Sequence, residues 1–501
     1  MSIKKEIIFY LAIFLIILTF SMVTDSFDYD LWARLIAGMG FVETGHVLKA
    51  DFLSYTPVHT WWDHEWGAGT IFYLCLKYFG GYSLIILQAL LIFGIFFTAS
   101  RIVKMRYNGS HCNIIFYFFS LMAIFCTLNN PVRSHLFSFL FFTVFIYIFE
   151  KVKRGNNKLL FAVPVIILFW NNIHGGVVSG MGLMLMYALG EFLNKKPFAK
   201  YLITFAVSCP VMLINPWGWD YIKFLLMANT MKRPTIVEWM NIFSPYQMGR
   251  HIRFKVFMIA VVIAELISFI KKVKIPDWYK NLDKTKYIII FTTLYLSIAH
   301  VKMIPFFVIA SICFIYEDFY ALVQNIKLPQ WKDNAIYGVV FVLSFLTFFT
   351  KEFSLPVGFN RYPVKEVEFI KQNKLTGKIF ASFNYGSYVS YKLYPYNLIY
   401  MDGRYEEVYY DYMLPLQTKF YLVLPDWNRV MEIFPADIII LDKEREVYPV
   451  ILKSKDWKLV YEGELSSVFV PADKVKDKYI MPTDDMDYYK NHLFDTFIRF
   501  K

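Results

Sequence analysis

Apolar residues fill long stretches of this chain, and short basic segments interrupt them at intervals. A helix needs about 20 apolar residues to cross the hydrocarbon core of a bilayer, and fewer where neighbouring helices cover its ends. Eleven stretches meet this description, so each is predicted to be a membrane-spanning helix. They cover approximately residues 6–23, 82–100, 113–128, 135–150, 159–172, 176–193, 200–215, 255–271, 286–300, 303–321 and 335–350.

The segments between the predicted spans differ in charge in a way that orients the chain. Lys and Arg collect on the cytoplasmic side of membrane helices. With a cytoplasmic N-terminus, every loop on that side carries several basic residues, whereas the short outer loops carry at most one. Eleven spans then place the C-terminal segment outside the cytoplasm.

Two of the predicted outer segments are long, at about residues 24–81 and 216–254. Both are dense in Trp, Pro, Asp and His, which is not the composition of a disordered segment. Long ordered loops are usually functional. We therefore expect both to fold against the outer membrane face, partly as interfacial helices, with Trp61, Trp62 and Trp66 in the headgroup zone.

Beyond residue 350, short apolar strands alternate with helical segments. Strands are predicted at 378–383, 397–402 and 436–442, helices at 363–373 and 426–434, and a hairpin at 457–470 that turns at Glu462-Gly463. This alternation implies a small α/β layer with candidate ligand loops near Asn384 and Asp402. The predicted fold is a polytopic α-helical membrane domain of about eleven spans, residues 1–350, with an extracytoplasmic α/β domain, residues 351–501.

The composition supports a membrane protein and excludes several other classes. The chain is 57% hydrophobic and only 18% charged, which is too little charge to cover the surface of a soluble protein of 501 residues. A net charge of +12 therefore orients helices rather than binding nucleic acid. The sequence has no Walker loop, G-x-G-x-x-G or G-x-S-x-G motif. Few ionisable residues lie inside the spans, which favours chemistry at the outer surface over transport.

The first long outer segment opens with FDYDLWARLIAGMGF at residues 27–41, which places Asp28 and Asp30 where the chain leaves the membrane. Acidic residues at the edge of a span cost free energy unless they are hydrated, paired or used in a reaction. Both are candidate catalytic carboxylates. The alternative is a hydrated helix cap, because Asp is favourable at a helix N-terminus.

WWDHEW follows at residues 61–66 and brings Asp63, His64 and Glu65 together. These side chains are candidate substrate contacts that would face the same cavity as Asp28 and Asp30. The alternative is an aromatic anchor with solvated charges. The spacing matches no recognised zinc motif, so no metal ligand is assigned here.

Further candidate substrate contacts lie in later outer segments. WNNIHGG at 170–176 forms a tight turn whose glycines let the backbone approach a ligand, although a plain turn would serve equally. Basic residues on the outer face can bind phosphate or lipid headgroups. The remaining candidates are Asn172, His174, Arg133, Lys232, Arg233, Glu238, Arg250, Asp402 and Arg404.

Taken in order, these motifs resemble the C-type glycosyltransferase (GT-C) superfamily of membrane proteins. The resemblance covers most of the chain and rests on DYDLW, WWDHEW, WNNIHGG, INPWGW followed by VEW, FNYGSYVSY and MDGRYE. Ala33-Arg34 departs from the pattern, because related sequences often carry Trp-His after the D-x-D-x-W stretch.

The resemblance implies transfer of a sugar from a polyprenyl-phosphate or polyprenyl-diphosphate donor to a lipid, glycan or protein acceptor on the outer membrane face. Asp28 or Asp30 would accept the proton of the acceptor hydroxyl. Arg133, Lys232, Arg233 or Arg250 would help the lipid phosphate to depart. Some members of the superfamily need a divalent metal and others do not, so the resemblance is compatible with Mg²⁺ or Mn²⁺ as a cofactor but does not require one.

Two other functions are compatible with the same sequence. The chain would serve as a non-catalytic scaffold subunit in the assembly of envelope glycans, or as a transporter of lipid or polysaccharide. Replacing Asp28 and Asp30 by asparagine separates these functions, because an enzyme loses turnover whereas a scaffold tolerates both changes. A transporter would depend on a gradient or a nucleotide, for which the sequence offers no machinery.

Overall fold

The computed structural model describes residues 3–23, 27–106, 132–233, 236–316, 318–319, 342, 345–346 and 359–500. The chain divides into two compact units. The first, called the helical unit, consists of Met1–Thr24 and Ile85–Ser354; the second, called the α/β unit, consists of Asp25–Leu84 and Leu355–Lys501. The sequence predicted one division at residue 350, whereas the structure groups the first long outer segment with the C-terminal segment.

The helical unit is built from apolar helices that coincide with predicted spans. The predicted span 113–128 lies outside the described residues, as does 335–350 apart from residues 342, 345 and 346. The second long outer segment contains a helix of its own, Trp219–Thr230. The helices described in this unit are Ile3–Val23, Tyr82–Arg106, His135–Lys153, Ala162–Ile173, Val177–Leu193, Ala199–Val211, Trp219–Thr230, Ile252–Val273, Trp278–Asn281, Lys284–Ala299 and Ile304–Phe314.

Two of the described helices, Tyr82–Arg106 and His135–Lys153, are long and apolar enough to cross a membrane by length and composition. Other apolar helices are shorter. These are Glu6–Met22, Asn157–Ile173, Val177–Leu193, Ala199–Val211 and Val301–Phe314. The number of about eleven spans stays a prediction.

Charged residues near the helix ends of this unit pair with one another. Glu150 is fully buried, and its carboxylate lies 2.9 Å from Arg106 and accepts a hydrogen bond of 3.1 Å from the Tyr187 hydroxyl. Asp283 lies 3.1 Å from Lys153. A buried carboxylate is stable only when cations and hydrogen bonds compensate its lost hydration. Basic residues assigned by sequence to loops or helix ends therefore also hold helices together.

The α/β unit is organised around a five-stranded sheet with strand order β2-β1-β3-β5-β4. The strands are β1 Gly377–Phe380, β2 Asn397–Ile399, β3 Ile438–Asp442, β4 Trp457–Glu462 and β5 Ser466–Pro471. β1 pairs in parallel with β2 and β3, and β5 pairs antiparallel with β3 and β4. The central strands β1 and β3 are short apolar runs, as expected for strands covered on both faces.

The first long outer segment joins this sheet through backbone hydrogen bonds. The Tyr55 N–H donates to the Ile399 carbonyl at 3.0 Å, and the Ile399 N–H donates to the Leu53 carbonyl at 2.9 Å. Val58 forms an antiparallel bridge with Tyr409. Because these bonds satisfy the free edge of β2, residues 53–62 belong to the α/β unit rather than to the spans that flank them in sequence.

Several sequence predictions for the C-terminal segment are confirmed and one is wrong. The hairpin turns at Gly463, whose N–H donates to the Ser466 carbonyl at 2.9 Å. The strand predicted at 378–383 ends at Phe380, and the predicted turn at 384–386 lies inside a helix, Phe383–Leu393. The described helices of the unit are Leu31–Thr44, Trp66–Phe79, Val364–Gln372, Phe383–Leu393, Tyr405–Val408, Met413–Tyr421, Arg429–Ile433, Tyr448–Leu452 and Met486–Asn491.

An aromatic core fixes the helix Leu31–Thr44 within the unit. Trp32 is fully buried, and rings of Tyr362, Tyr388, Tyr391 and Phe494 surround it at centroid distances of 5.0–5.9 Å. Edge-on and tilted ring pairs at this distance stabilise the core beyond their buried area. This packing sets the position of the residues just before Trp32.

The same helix packs closely against its neighbour, Trp66–Phe79. A Cβ atom added to Gly38 would lie only 2.0 Å from the carbonyl oxygen of Gly69. Glycine is therefore required where the two backbones meet. The close approach brings the middle of the first helix beside the residues that precede the second.

Candidate functional site

Asp28 and Asp30 lie immediately before the helix Leu31–Thr44, and both are half-buried. The Asp28 carbonyl accepts the Leu31 N–H, and the Asp30 carbonyl accepts the Arg34 N–H, each at 3.2 Å. Asp30 is the N-cap residue, but its side chain makes no capping hydrogen bond. Helix capping therefore does not account for the Asp30 carboxylate.

The Asp30 carboxylate lies against the backbone of Gly403, inside the MDGRYE motif. A Cβ atom added to Gly403 would lie 2.3 Å from Oδ1 of Asp30, so a side chain at position 403 would displace the Asp30 carboxylate. Gly386 of the FNYGSYVSY motif is similar, because its Cβ would lie 2.2 Å from the Met401 carbonyl oxygen. Three motifs that are far apart in sequence thus meet within the α/β unit.

Arg34 is the centre of a buried charge cluster that follows from the helix pair. Its guanidinium lies 2.6 Å from Asp63, 2.7 Å from Glu65 and 2.7 Å from Glu407. Glu407 accepts two hydrogen bonds from it, at 2.7 and 3.1 Å, in the forked geometry typical of arginine and carboxylate. The indole N–H of Trp61 donates to the same carboxylate at 3.2 Å.

His64 completes this cluster, which we call the Arg34 cluster: Arg34, Asp63, His64, Glu65 and Glu407. The imidazole Nδ1 lies 2.9 Å from Glu407, and the side chain is largely buried. Two positive side chains therefore face three carboxylates. The sequence placed Asp63, His64 and Glu65 together, and the structure confirms that they are neighbours; substrate contact by them stays a prediction.

Burial and charge compete in setting the pKa values of the cluster. Burial opposes the charge of His64, but Glu407 and Glu65 raise its pKa to about 9, so the imidazole is positive at neutral pH. Burial raises the pKa of Asp63 to about 6 in spite of Arg34. Burial also opposes ionisation of Glu407, but Arg34 and His64 hold its pKa below the ordinary range. Glu407 is therefore ionised at neutral pH, and Asp63 takes up a proton more easily than Glu407 does.

Arg404 and Asp402, both candidates for substrate binding, are fully buried. Arg404 Nε donates to both oxygens of Asp402 at 2.9 and 3.0 Å, and Nη1 donates to Asp51 at 2.6 Å. The guanidinium carbon lies 4.5 Å from the ring centroid of Trp61. These contacts favour a structural role, in which Arg404 ties the first outer segment to the C-terminal segment.

Trp61 does not lie at a surface. Its side chain is fully buried, whereas the sequence placed it in a headgroup zone together with Trp62 and Trp66. The prediction was wrong for Trp61 because its indole packs beneath Arg404 and donates a hydrogen bond to Glu407.

The remaining basic candidates lie in the helical unit. Arg133 lies 2.6 Å from Glu238, and this pair is partly exposed. Arg233 is buried, donates to the Ala228 carbonyl at 2.7 Å and covers the Trp239 ring at 4.3 Å. Arg233 is therefore held by the helix end Trp219–Thr230 and by an aromatic face, a geometry that suits arginine better than lysine.

Lys232 and Arg250 are exposed in the same unit. Arg250 stacks on the Tyr246 ring at 4.1 Å. Phosphate binding by these basic residues stays a prediction.

Asn172 and His174 also belong to the helical unit. Asn172 donates to the carbonyls of Leu168 and Ile214, each at 2.9 Å, and His174 Nδ1 lies 2.6 Å from the Ser138 hydroxyl. These bonds join the end of one helix to neighbouring segments. Contact of either residue with substrate stays a prediction.

Sequence reasoning missed Glu407, Asp51 and the central role of Arg34. A signal for Arg34 was present, since a single arginine inside the apolar run LWARLIAGMGF needs buried acidic partners. No local pattern identifies Glu407, which lies 373 residues away in sequence.

Comparison with known proteins bears on the fold. No protein-family profile and no curated protein sequence matches the chain. Among solved structures, 16 chains match. One is the Archaeoglobus fulgidus oligosaccharyltransferase in the apo form, with a TM-score of 0.58 and 9% identity over 96% of this chain and 77% of that one.

A second match is the structure of the same archaeal oligosaccharyltransferase tethered through a disulfide bond to an acceptor peptide that contains the NVT sequon. Its TM-score is 0.54 at 10% identity, over 96% of this chain and 76% of that one. At such identities the likeness concerns the fold. The chain therefore shares its fold with this archaeal oligosaccharyltransferase.

Proposed function

We propose that the chain is a membrane glycosyltransferase that moves a sugar from a polyprenyl-phosphate or polyprenyl-diphosphate donor to a lipid, glycan or protein acceptor. The fold shared with an oligosaccharyltransferase over 96% of the chain supports transfer to a glycan or protein. The acceptor peptide tethered in one neighbour supports a protein as one acceptor class. The reaction would take place on the outer face of the cell membrane, with the N-terminus in the cytoplasm.

The placement of Asp28 and Asp30 carries the proposal. Both carboxylates are half-buried, at the start of a helix that Trp32 and Arg34 anchor in the α/β unit. A general base works only when it is held within hydrogen-bond reach of the proton that it accepts. The anchored helix start would hold the half-buried carboxylates of Asp28 and Asp30 in a fixed position, as a general base requires.

In the proposed reaction, Asp28 or Asp30 accepts the proton of the acceptor hydroxyl while the hydroxyl oxygen attacks the anomeric carbon of the donor sugar. The bond between the anomeric carbon and the lipid phosphate oxygen breaks, and the phosphate leaves with the electron pair. The products are the glycosylated acceptor and the polyprenyl phosphate or diphosphate. The carboxyl group then returns its proton to solvent.

The donor groups of the site fit a divalent metal such as Mg²⁺ or Mn²⁺. Carboxylate oxygens are the ligands that these hard cations prefer. In addition, the half-buried Asp30 carboxylate is not used to cap its own helix. Asp28 and Asp30 would hold such an ion, which supplies charge stabilisation for the departing phosphate when bound.

The test uses the full-length protein in detergent with radiolabelled polyprenyl-phosphate sugars and crude envelope acceptors. Asp28→Asn and Asp30→Asn are measured separately. The variant that lacks the base should lose kcat by about 10²-fold or more, while the KM for the donor changes little. Asp473→Asn, at an exposed carboxylate of the same unit, is the matched control and should transfer sugar like wild type.

Transfer by wild type that disappears in one aspartate variant supports the enzyme and identifies the base. Wild-type rates in both variants would refute the catalytic assignment. Failure of the wild-type protein to transfer sugar from a broad panel of donors would favour a scaffold subunit instead.

A further inference from the structure

We propose that the α/β unit carries a glycan-binding surface that takes an oligosaccharide with acidic substituents. It consists of an aromatic row, Trp62, His59, Tyr410 and Tyr412, and of a charged cavity that begins at Tyr412. None of these residues belongs to the Arg34 cluster or to the Asp28-Tyr29-Asp30 segment. The surface therefore adjoins the Arg34 cluster through Trp62 but shares no residue with the proposed transfer chemistry.

The rings of the aromatic row follow one another at contact distance. The centroids of Trp62 and His59 are 4.8 Å apart, those of His59 and Tyr410 are 5.7 Å apart, and those of Tyr410 and Tyr412 are 5.9 Å apart. The two tyrosine rings are nearly parallel, at 10°. Both are more than 40% exposed, so solvent reaches ring surface that a folded core would normally cover.

Backbone pairing holds this row in place. The His59 N–H donates to the Val408 carbonyl and the Trp62 N–H donates to the Glu407 carbonyl, each at 3.0 Å. Val58 and Tyr409 form an antiparallel bridge next to the first of these bonds. Rings carried by hydrogen-bonded backbone segments lose little conformational entropy when a ligand binds, so they are suited to recognition.

A cavity of about 330 Å³ continues from the end of the row. Tyr412 forms one wall, and Lys419, Asp426 and Arg429 supply charge around an apolar floor that includes Leu416. All three charged side chains are exposed, and they form no hydrogen bond or ion pair with any residue that the structure describes. Cavities that hold small ligands begin at about this volume.

The chemistry of the surface matches a sugar chain better than a peptide. A pyranose ring presents an apolar face of C–H groups that packs on an exposed aromatic ring, and it presents hydroxyl groups at its edge. A carboxylate such as Asp426 accepts hydrogen bonds from such hydroxyls. Two cations against one carboxylate favour a ligand with negative charge, and the fork of Arg429 matches a uronic acid carboxylate.

An acidic peptide would satisfy the two cations but would not need the parallel tyrosine rings. Binding of a sugar chain should therefore depend on both the tyrosine rings and the cations, whereas binding of an acidic peptide should depend on the cations alone. Binding also needs no turnover, so this surface can be tested whether or not the chain transfers sugar.

The experiment is calorimetry or saturation-transfer NMR on the full-length protein in detergent with three probes. These are a tetrasaccharide of alternating glucuronic acid and N-acetylglucosamine, the neutral tetramer of N-acetylglucosamine, and a blocked peptide with two glutamates. Wild type should bind the acidic tetrasaccharide in preference to the other two. Tyr412→Ala and Arg429→Gln should each weaken that binding by about tenfold or more, as expected for truncated anchor residues.

Two matched controls test whether the effect is local. Tyr396→Ala removes a tyrosine that is 60% exposed elsewhere in the unit, and Lys453→Gln removes an exposed cation without an ion pair to a described residue. Both should bind like wild type, and Asp28→Asn should do so as well. Circular dichroism confirms that each variant is folded.

Equal binding of the acidic peptide and the acidic tetrasaccharide would overturn the proposal, as would binding that survives Tyr412→Ala. The absence of any binding by the tetrasaccharide would overturn it too. If Tyr412→Ala lost tetrasaccharide binding but transferred sugar at the wild-type rate, the surface and the proposed active site would be shown to be independent.

Discussion

Replacing Arg34 by methionine removes the charge at the centre of the Arg34 cluster while keeping most of the side-chain volume. In wild type the guanidinium lies within 2.7 Å of three carboxylates: Asp63, Glu65 and Glu407. The variant would leave those carboxylates with His64 as their only positive neighbour in the cluster. We expect a large loss of stability at neutral pH.

Two estimates of the loss agree. Removing one partner of a buried ion pair costs about 3–5 kcal/mol. The folded variant can relieve the repulsion by protonating one carboxylate, which at pH 7 costs at most about 4 kcal/mol for a group with an ordinary pKa of about 4, and less for Asp63, whose pKa burial already raises to about 6. At pH 5 the same protonation costs only about 1 kcal/mol, so the defect should shrink as the pH falls.

Thermal unfolding in one detergent at both pH values measures this difference. For a folding unit of this size, 1 kcal/mol shifts Tm by roughly 2–4 °C. Arg34→Met should therefore lower Tm by about 10 °C at pH 7 and by only a few degrees at pH 5. Arg445→Met is the matched control, because its pair with Asp442, at 3.1 Å, is partly exposed and such pairs contribute about 0–1 kcal/mol.

A Tm at pH 7 equal to that of wild type would refute the view that the cluster depends on Arg34. An equal loss at pH 5 and pH 7 would also refute it, because the defect would then arise from packing rather than from uncompensated charge.

Three further predictions follow from the α/β unit and its glycines. Glu407 and Glu65 outweigh burial and raise the pKa of His64 to about 9. The positive charge of His64 therefore stabilises the folded state fully below the ordinary pKa of histidine, and this stabilisation is lost as the pH rises through 9. Tm should therefore fall from about pH 7 to about pH 10, and His64→Gln should flatten this part of the profile. Gly403→Ala places a Cβ 2.3 Å from Oδ1 of Asp30, so kcat for transfer should fall about tenfold or more; full activity would show that this contact is unimportant. Gly38→Ala meets a backbone carbonyl at 2.0 Å and should cost about 1–3 kcal/mol or more, whereas Gly249→Ala, with nothing within 4 Å, should leave Tm unchanged.

Much of the architecture follows from periodicity and length. The predicted span at 135–150 corresponds to the helix His135–Lys153, and the predicted strand at 436–442 contains β3, Ile438–Asp442. Apolar runs bounded by basic residues or turns determine such elements locally. The same reasoning brought Asp63, His64 and Glu65 together, because they are adjacent in sequence.

Other features depend on contacts that no local pattern contains. FNYGSYVSY has aromatic, β-branched and glycine residues, which favour a strand or a turn, yet it forms the helix Phe383–Leu393. Burial of Tyr388 and Tyr391 against Trp32 outweighs these preferences. The grouping of residues 25–84 with the C-terminal segment likewise rests on bonds between distant parts of the chain.

The distance between Arg34 and Glu407 along the chain has a consequence for biosynthesis. The two residues are 373 positions apart, and synthesis proceeds at about 5–20 residues per second. Arg34 therefore leaves the ribosome roughly 20–75 s before its main partner does. During that interval Arg34 has Asp63 and Glu65 as partners but lacks the carboxylate that accepts two of its hydrogen bonds. A stop codon anywhere before Glu407 therefore leaves a product with an incomplete Arg34 cluster, which chaperones and proteases can recognise.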